Sequence, residues 1–120
     1  MTGRQPHDLL PLPHMTYHVL LALAEGEAHG WEIIRRIRLL TEGMADPSSG
    51  SLYLAMMRME DQGLLDEAKA PADADERRRY YRLTSFGKHV LAVESNRLAA
   101  LVDRARRLQV FAGAAGKGRR

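Results

Sequence analysis

Cysteine is missing altogether from these 120 residues, which excludes disulfides, thiolate metal sites and a cysteine nucleophile together. Aromatic residues are scarce, with one Trp, two Phe and four Tyr, so each must be placed individually. Long apolar runs are also lacking. The longest, Val19-Leu20-Leu21-Ala22-Leu23-Ala24, falls far short of the roughly 20 residues a membrane span needs. The opening residues, with Asp8 and nearby prolines, do not follow the basic-then-apolar order of a signal peptide. A soluble, cytoplasmic protein without a membrane partner is expected. No glycine-rich phosphate loop and no His-Glu-x-x-His signature occurs. His14 and His18 share one helix face, as metal ligands can, but no third ligand accompanies them. No metal or cofactor is expected, and with no nucleophile, base or metal set in view, neither is an enzyme.

What is present has ordinary globular composition, 45% hydrophobic and 28% charged, and the length suits one domain of about 100–150 residues. The net charge of +3 is modest, and its placement matters more than its size. Arg35, Arg36 and Arg38 form one cluster and Arg77, Arg78, Arg79 and Arg82 a second. Arg104, Arg106, Arg107, Lys117, Arg119 and Arg120 gather toward the end, while acidic residues are spread more evenly.

Residues 1–13 read as an arm, because Pro11 and Pro13 prevent regular helix while Leu9, Leu10 and Leu12 can still pack. From His14 to Glu25 the spacing of Met15, Val19, Leu20 and Leu23 predicts a first helix. A second runs from His29 to about Leu40, with Trp31, Ile34 and Ile37, or Ile33, Ile37 and Leu40, on its buried face. Gly43 and Asp46-Pro47 break the chain. Ser48 and Ser49 are natural N-caps for a third helix whose stripe is Leu52, Ala55, Met56 and Met59. Met56, Met57 and Met59 read as core filler. Leu64–Ala68 and Arg78–Leu83 read as strands joined by a polar tip. A final helix from Ser85 to about Leu108 carries Leu91, Leu98, Leu101, Val102, Ala105 and Leu108 near heptad spacing. Glu94 interrupts this stripe, so the helix is expected to pack also against helix one and the arm of a second subunit. Three helices, a hairpin and a long helix make a mainly α fold with a β wing: a winged helix-turn-helix over residues 14–84, a dimerisation helix over 85–110 and a disordered basic tail over 111–120.

Such a fold presents a short helix start to the major groove, about 12 Å wide, beside a row of phosphates. Ser48, Ser49, Gly50 and Ser51 open helix three with small side chains and free backbone N–H groups, so the backbone can approach a phosphate closely; for Ser48 and Ser49 capping is the competing role. Tyr53 turns away from the core stripe, where its hydroxyl suits a phosphate. Arg58 and Ser51 are the candidates for base edges. Alternation along the second strand turns Arg78, Tyr80 and Arg82 away from Tyr81 and Leu83, with Arg77 and Arg79 joining them near the tip. Asp73, Asp75 and Glu76 lie within a Debye length of about 8 Å and would cancel part of this attraction.

Three stretches resemble the PadR family of transcriptional regulators. They are Leu20 to Gly26 followed by His29-Gly30-Trp31-Glu32-Ile33, then Gly50-Ser51-Leu52-Tyr53 leading through Arg58-Met59-Glu60-Asp61-Gln62-Gly63-Leu64-Leu65, then Arg77 to Thr84 ending with Gly87. Together they cover roughly residues 15–105. The departures are Ser49 and Ser51 around Gly50, and Trp31 where the family often has tyrosine. The resemblance implies DNA binding as a homodimer joined by the last helix, probing a palindromic operator, in a short form without a larger effector domain. It also implies a small, often aromatic effector near the dimer interface, for which Tyr17 and Trp31 are candidate lining residues, although core packing is the role first expected of Trp31. The competing reading is a protein-interaction module dimerising through its last helix without specific DNA binding.

Overall fold

The computed structural model describes residues 4–75 and 77–111. A single turn of 3-10 helix (Pro6–Leu9) leads into α1 (His14–Ala24), β1 (Ala28–His29), α2 (Gly30–Leu40), α3 (Ser49–Asp61), β2 (Leu65–Ala68), β3 (Tyr80–Leu83) and α4 (Ser85–Arg107). This is the winged helix-turn-helix with a long final helix that the periodicities predict. Nine of the expected tail residues, 112–120, lie outside the described residues.

One core joins the elements. Val19, Leu20, Ala22 and Leu23 of α1 meet Ile33, Ile34 and Ile37 of α2, Leu52, Met56 and Met59 of α3, Leu64 and Leu65, Tyr81 and Leu83 of β3, and Val90 of α4. Trp31 is not among them. It falls about 115° round α2 from the centre of the isoleucine stripe at 3.6 residues per turn, and is 67% exposed. Leu40, in the last turn, is also exposed, and Met57 stands outside the core that Met56 and Met59 enter.

The end of α3 is fixed by Gly63 at φ 78°. The Leu64 N–H donates to the Met59 carbonyl at 2.9 Å and the Gly63 N–H to that of Glu60 at 3.0 Å, the paired bonds of a left-handed helix stop. Met59 and Leu64, which flank this stop, are both fully buried, and the chain enters β2 directly.

The sheet has three strands in the order β1-β3-β2, all antiparallel. β1 escaped the sequence reading because a two-residue strand has no periodicity to detect; it pairs Ala28 with Tyr81 and His29 with Tyr80. In β2 and β3, Leu65 faces Leu83 and Asp66 faces Arg82. β3 begins at Tyr80 rather than Arg78, so Arg77, Arg78 and Arg79 belong to the connecting loop, where strand alternation does not govern them.

The arm docks on its own α4, not on another subunit's helix as the sequence reading expected. Pro6 is buried and Leu9, Leu10 and Leu12 pack against the core. Glu94 is the reason this geometry holds: at 1% exposure it accepts the Leu12 N–H at 2.9 Å, and Arg97 donates to it at 2.6 and 3.0 Å. The break in the leucine spacing is thus a buried carboxylate that satisfies the proline-rich arm's backbone.

The bonds from Arg97, together with the Leu12 N–H, hold the Glu94 carboxyl below its ordinary pKa against the opposing effect of burial. A lowered folded-state value means its stabilisation is complete above the unfolded carboxylate's pKa of about 4.3 and is lost as pH falls through the folded value. Glu94→Ala should therefore cost about 1–3 kcal/mol near neutrality. Chemical denaturation at about pH 7 and about pH 3 checks the dependence, since an equal cost at both would exclude this role.

Candidate nucleic-acid interface

The first turn of α3 is held by Ser48. Its hydroxyl accepts the Ser51 N–H at 3.1 Å and lies 3.0 Å from the Ser51 hydroxyl, so Ser48 caps the helix. Ser49, Gly50 and Ser51 are exposed. A Cβ built on Gly50 would meet nothing within 4 Å, so the fold itself does not require glycine there.

Around α3 the outer arc runs from Tyr53, 55% exposed, to Arg58, which five residues at 100° each place about 140° away. Leu54 and Met57 occupy the arc between them and are exposed. Nothing in the sequence singles out Leu54, and Met57 reads there as core filler, although both are apolar residues off the i, i+3, i+4 core stripe. Arg58 has no carboxylate partner among the described residues.

Beside Tyr53 a groove of about 380 Å³ opens between α2, the start of α3 and the wing. Ile34, Leu52 and Met56 form its apolar floor, while Trp31, Ser49, Tyr53, Arg78 and Arg79 stand around it. The structure does not bring Arg82 here. That residue lies at a second depression with Glu27 and Lys88 and pairs with Asp66 at 2.9 Å. Nor are Tyr17 and Trp31 brought together: the Tyr17 hydroxyl is 2.7 Å from that of Ser95, tying α1 to α4.

The wing arginines are not electrostatically equal. Arg77 pairs with Asp75 at 3.2 Å and Arg79 with Glu67 at 4.0 Å. The Arg77 hydrogen bonds hold the Asp75 carboxyl below its ordinary pKa, so that charge persists near neutrality. Arg78 instead lies 2.9 Å from His29 Nε2 and pairs with no carboxylate among the described residues. The arginines of α2 are likewise committed within the fold. Glu32 accepts from Arg35 and Arg36 and its pKa is pulled down to about 2, chiefly by the Arg35 hydrogen bond. Arg36 also donates to the Ala22 and Gly26 carbonyls, and Arg38 pairs with Asp46.

His29 contains a conflict. Its Nδ1 lies 3.3 Å from the Glu32 N–H at the start of α2, while Nε2 faces the Arg78 guanidinium. A guanidinium only donates, and a neutral imidazole has one accepting nitrogen, so only one contact at a time is a hydrogen bond. Burial first, then the Arg78 charge, lowers the His29 pKa. Moving Arg78 away therefore costs little, because Nδ1 is then free to cap α2.

Toward its C-terminus α4 carries a different surface. The face buried through Gly87, Val90 and Glu94 continues along the helix, but cover by the described residues stops. Leu91 packs partly on the core, Leu98 and Ala105 are half-buried, and Leu101, Val102 and Leu108 are exposed. The Arg106 guanidinium sits 5.4 Å from the Phe111 ring centre. No described helix is long and apolar enough to cross a membrane.

A solved structure of a transcriptional regulator from Clostridium thermocellum is similar with a TM-score of 0.64 at 25% identity, covering 78% of this chain and 88% of that one. A PadR-like transcriptional regulator from Bacillus cereus superposes with a TM-score of 0.68 at 21% identity, covering 79% and 90%. An uncharacterised protein of Lysinibacillus sphaericus is 27% identical over 79 residues, 66% of this chain and 72% of its own. The profile of the PadR-like transcriptional regulator family matches residues 19–93. That match spans the second half of α1, all of α2 and α3, the wing and the first turns of α4, and the chain belongs to the PadR-like family of transcriptional regulators.

Proposed function

We propose that this protein represses transcription by binding a palindromic operator as a homodimer, with α3 of each subunit in the major groove and the wing on the adjoining backbone. The observation that carries this reading is the exposed outer face of α3 lying beside Arg78 and Arg79 around a single groove. Ser49, Gly50 and Tyr53 hold phosphates, Arg58 and Ser51 reach base edges, and Leu54 and Met57 offer apolar contact to thymine methyl groups. The uncovered stripe on α4 makes the dimer, which sets the two α3 helices about 34 Å apart, one turn of duplex. Such a protein works on the chromosome, in the cytoplasm of a bacterial cell.

Selection of bound fragments from random duplex DNA tests the reading directly, because enriched fragments should contain inverted half-sites about 10 base pairs apart. Binding should also weaken steeply with salt, log K falling by about 0.9 per neutralised phosphate for each unit of log salt concentration. Within the wing, the ion pairs predict a ranking. Arg78→Ala should weaken every duplex and flatten the salt slope most, Arg79→Ala less, and Arg77→Ala least. Equal slopes for the Arg77 and Arg78 variants would overturn the ranking, and slopes unaltered from the parent's would remove the wing assignment. A dimer that ignores all duplexes would favour a protein-interaction module.

A further inference from the structure

Trp31 is the sequence's single tryptophan, and the fold leaves it 67% exposed on the groove between α2, α3 and the wing. Burying a large side chain of this kind is worth about 1.5–3 kcal/mol, and α2 forgoes that gain. Tyr53, also lining the groove, is 55% exposed, while Ile34 and Leu52 beneath them are buried. The groove thus has apolar walls and floor with Arg78 beside it, a cation whose guanidinium makes, among the described residues, only the frustrated contact with His29.

These features match the alternating chemistry of a DNA strand, in which an apolar deoxyribose edge lies next to each phosphate. We propose, on the reading that the protein binds DNA through α3 and the wing, that this groove seats one sugar–phosphate unit of the strand beside the recognition helix. The Trp31 ring packs on the deoxyribose, and its indole N–H and Arg78 donate to the phosphate. When Arg78 turns from His29 to the phosphate, His29 takes the tautomer whose Nδ1 accepts the Glu32 N–H, so the contact forms with the start of α2 capped and with the Nε2–H turned to the space Arg78 has left. Trp31 then contributes affinity without sequence preference, since every nucleotide presents the same backbone.

The lone tryptophan is its own probe. Titrating the full chain with a labelled duplex that it binds should change Trp31 emission in step with the rise in duplex anisotropy. Trp31→Ala should weaken all duplexes by about tenfold to a hundredfold, the loss expected for a hydrogen bond to a charged group, with the melting temperature unchanged because the side chain is exposed. Trp31→Phe, which keeps a ring without the N–H, should fall between. Normal DNA binding by Trp31→Ala, with wild-type emission unmoved by duplex, overturns the inference and leaves DNA recognition intact. Emission that shifts with protein concentration alone places Trp31 between subunits and also overturns it. So does saturable quenching by benzoate that DNA does not displace, which gives the groove to a small anion. Failure to bind any duplex removes the underlying reading as well.

Discussion

Gly87→Ala should destabilise the fold by about 3 kcal/mol or more, a fall in melting temperature of about 10–20 °C for a domain of this size. A Cβ at Gly87 would lie 2.0 Å from the Leu64 carbonyl oxygen and 2.9 Å from its carbon. These are backbone atoms that no rotamer change can move aside. The same carbonyl accepts the Thr84 N–H at 3.1 Å, and the Thr84 hydroxyl donates to the Gly63 carbonyl at 2.6 Å. The start of α4 is therefore clamped to the turn that ends α3, and a methyl group would have to part the two. Gly50→Ala is the internal control. With open space around that position and a gain of roughly 0.5–1 kcal/mol for alanine over glycine in a helix, it should melt at the same temperature or higher. Thermal unfolding of the two variants decides the matter, and a Gly87→Ala protein as stable as the parent would refute the clamp.

Leu101→Asp combined with Val102→Asp should separate the proposed dimer and reduce affinity for a two-half-site operator by about 10²–10⁴-fold. Both residues are exposed on a helix of 23 residues, about 35 Å long, whose second half the described chain leaves uncovered. Two carboxylates in a stripe that a second subunit must bury would meet a desolvation cost with no partner to offset it. The two half-sites would then be bound independently, losing the effective concentration that tethering supplies. The folded monomer should survive, because neither residue touches the core. Sedimentation and operator binding measured together are diagnostic: a dimer of unchanged stability would move the interface elsewhere.

Much of the architecture was legible because it rests on repetition. The stripes of α1, α3 and α4 recur over about two turns or more, and the serine, glycine and threonine signals at their ends are local chemistry. The site was legible where it depended on the same local logic, as at Ser48 to Ser51 and Tyr53. It was not legible where one residue's role depends on distant partners. Arg77, Arg78, Arg79 and Arg82 look alike in the chain, yet Asp75, His29, Glu67 and Asp66 give each a different neighbour. Trp31 read as core because large apolar residues usually are; only the angular position of three isoleucines turns it outward.

The sequence by itself determined the winged helix-turn-helix, the long last helix and the family, since periodicity, capping and short motifs act within a few residues of one another. Tertiary structure alone decided that Glu94 fastens the arm to its own helix, that β1 joins the sheet, and that Trp31, Tyr53 and Arg78 share one groove. Those outcomes depend on which surfaces meet after the chain has folded back on itself, and no local spacing encodes a contact between residues 12 and 94 or 29 and 78.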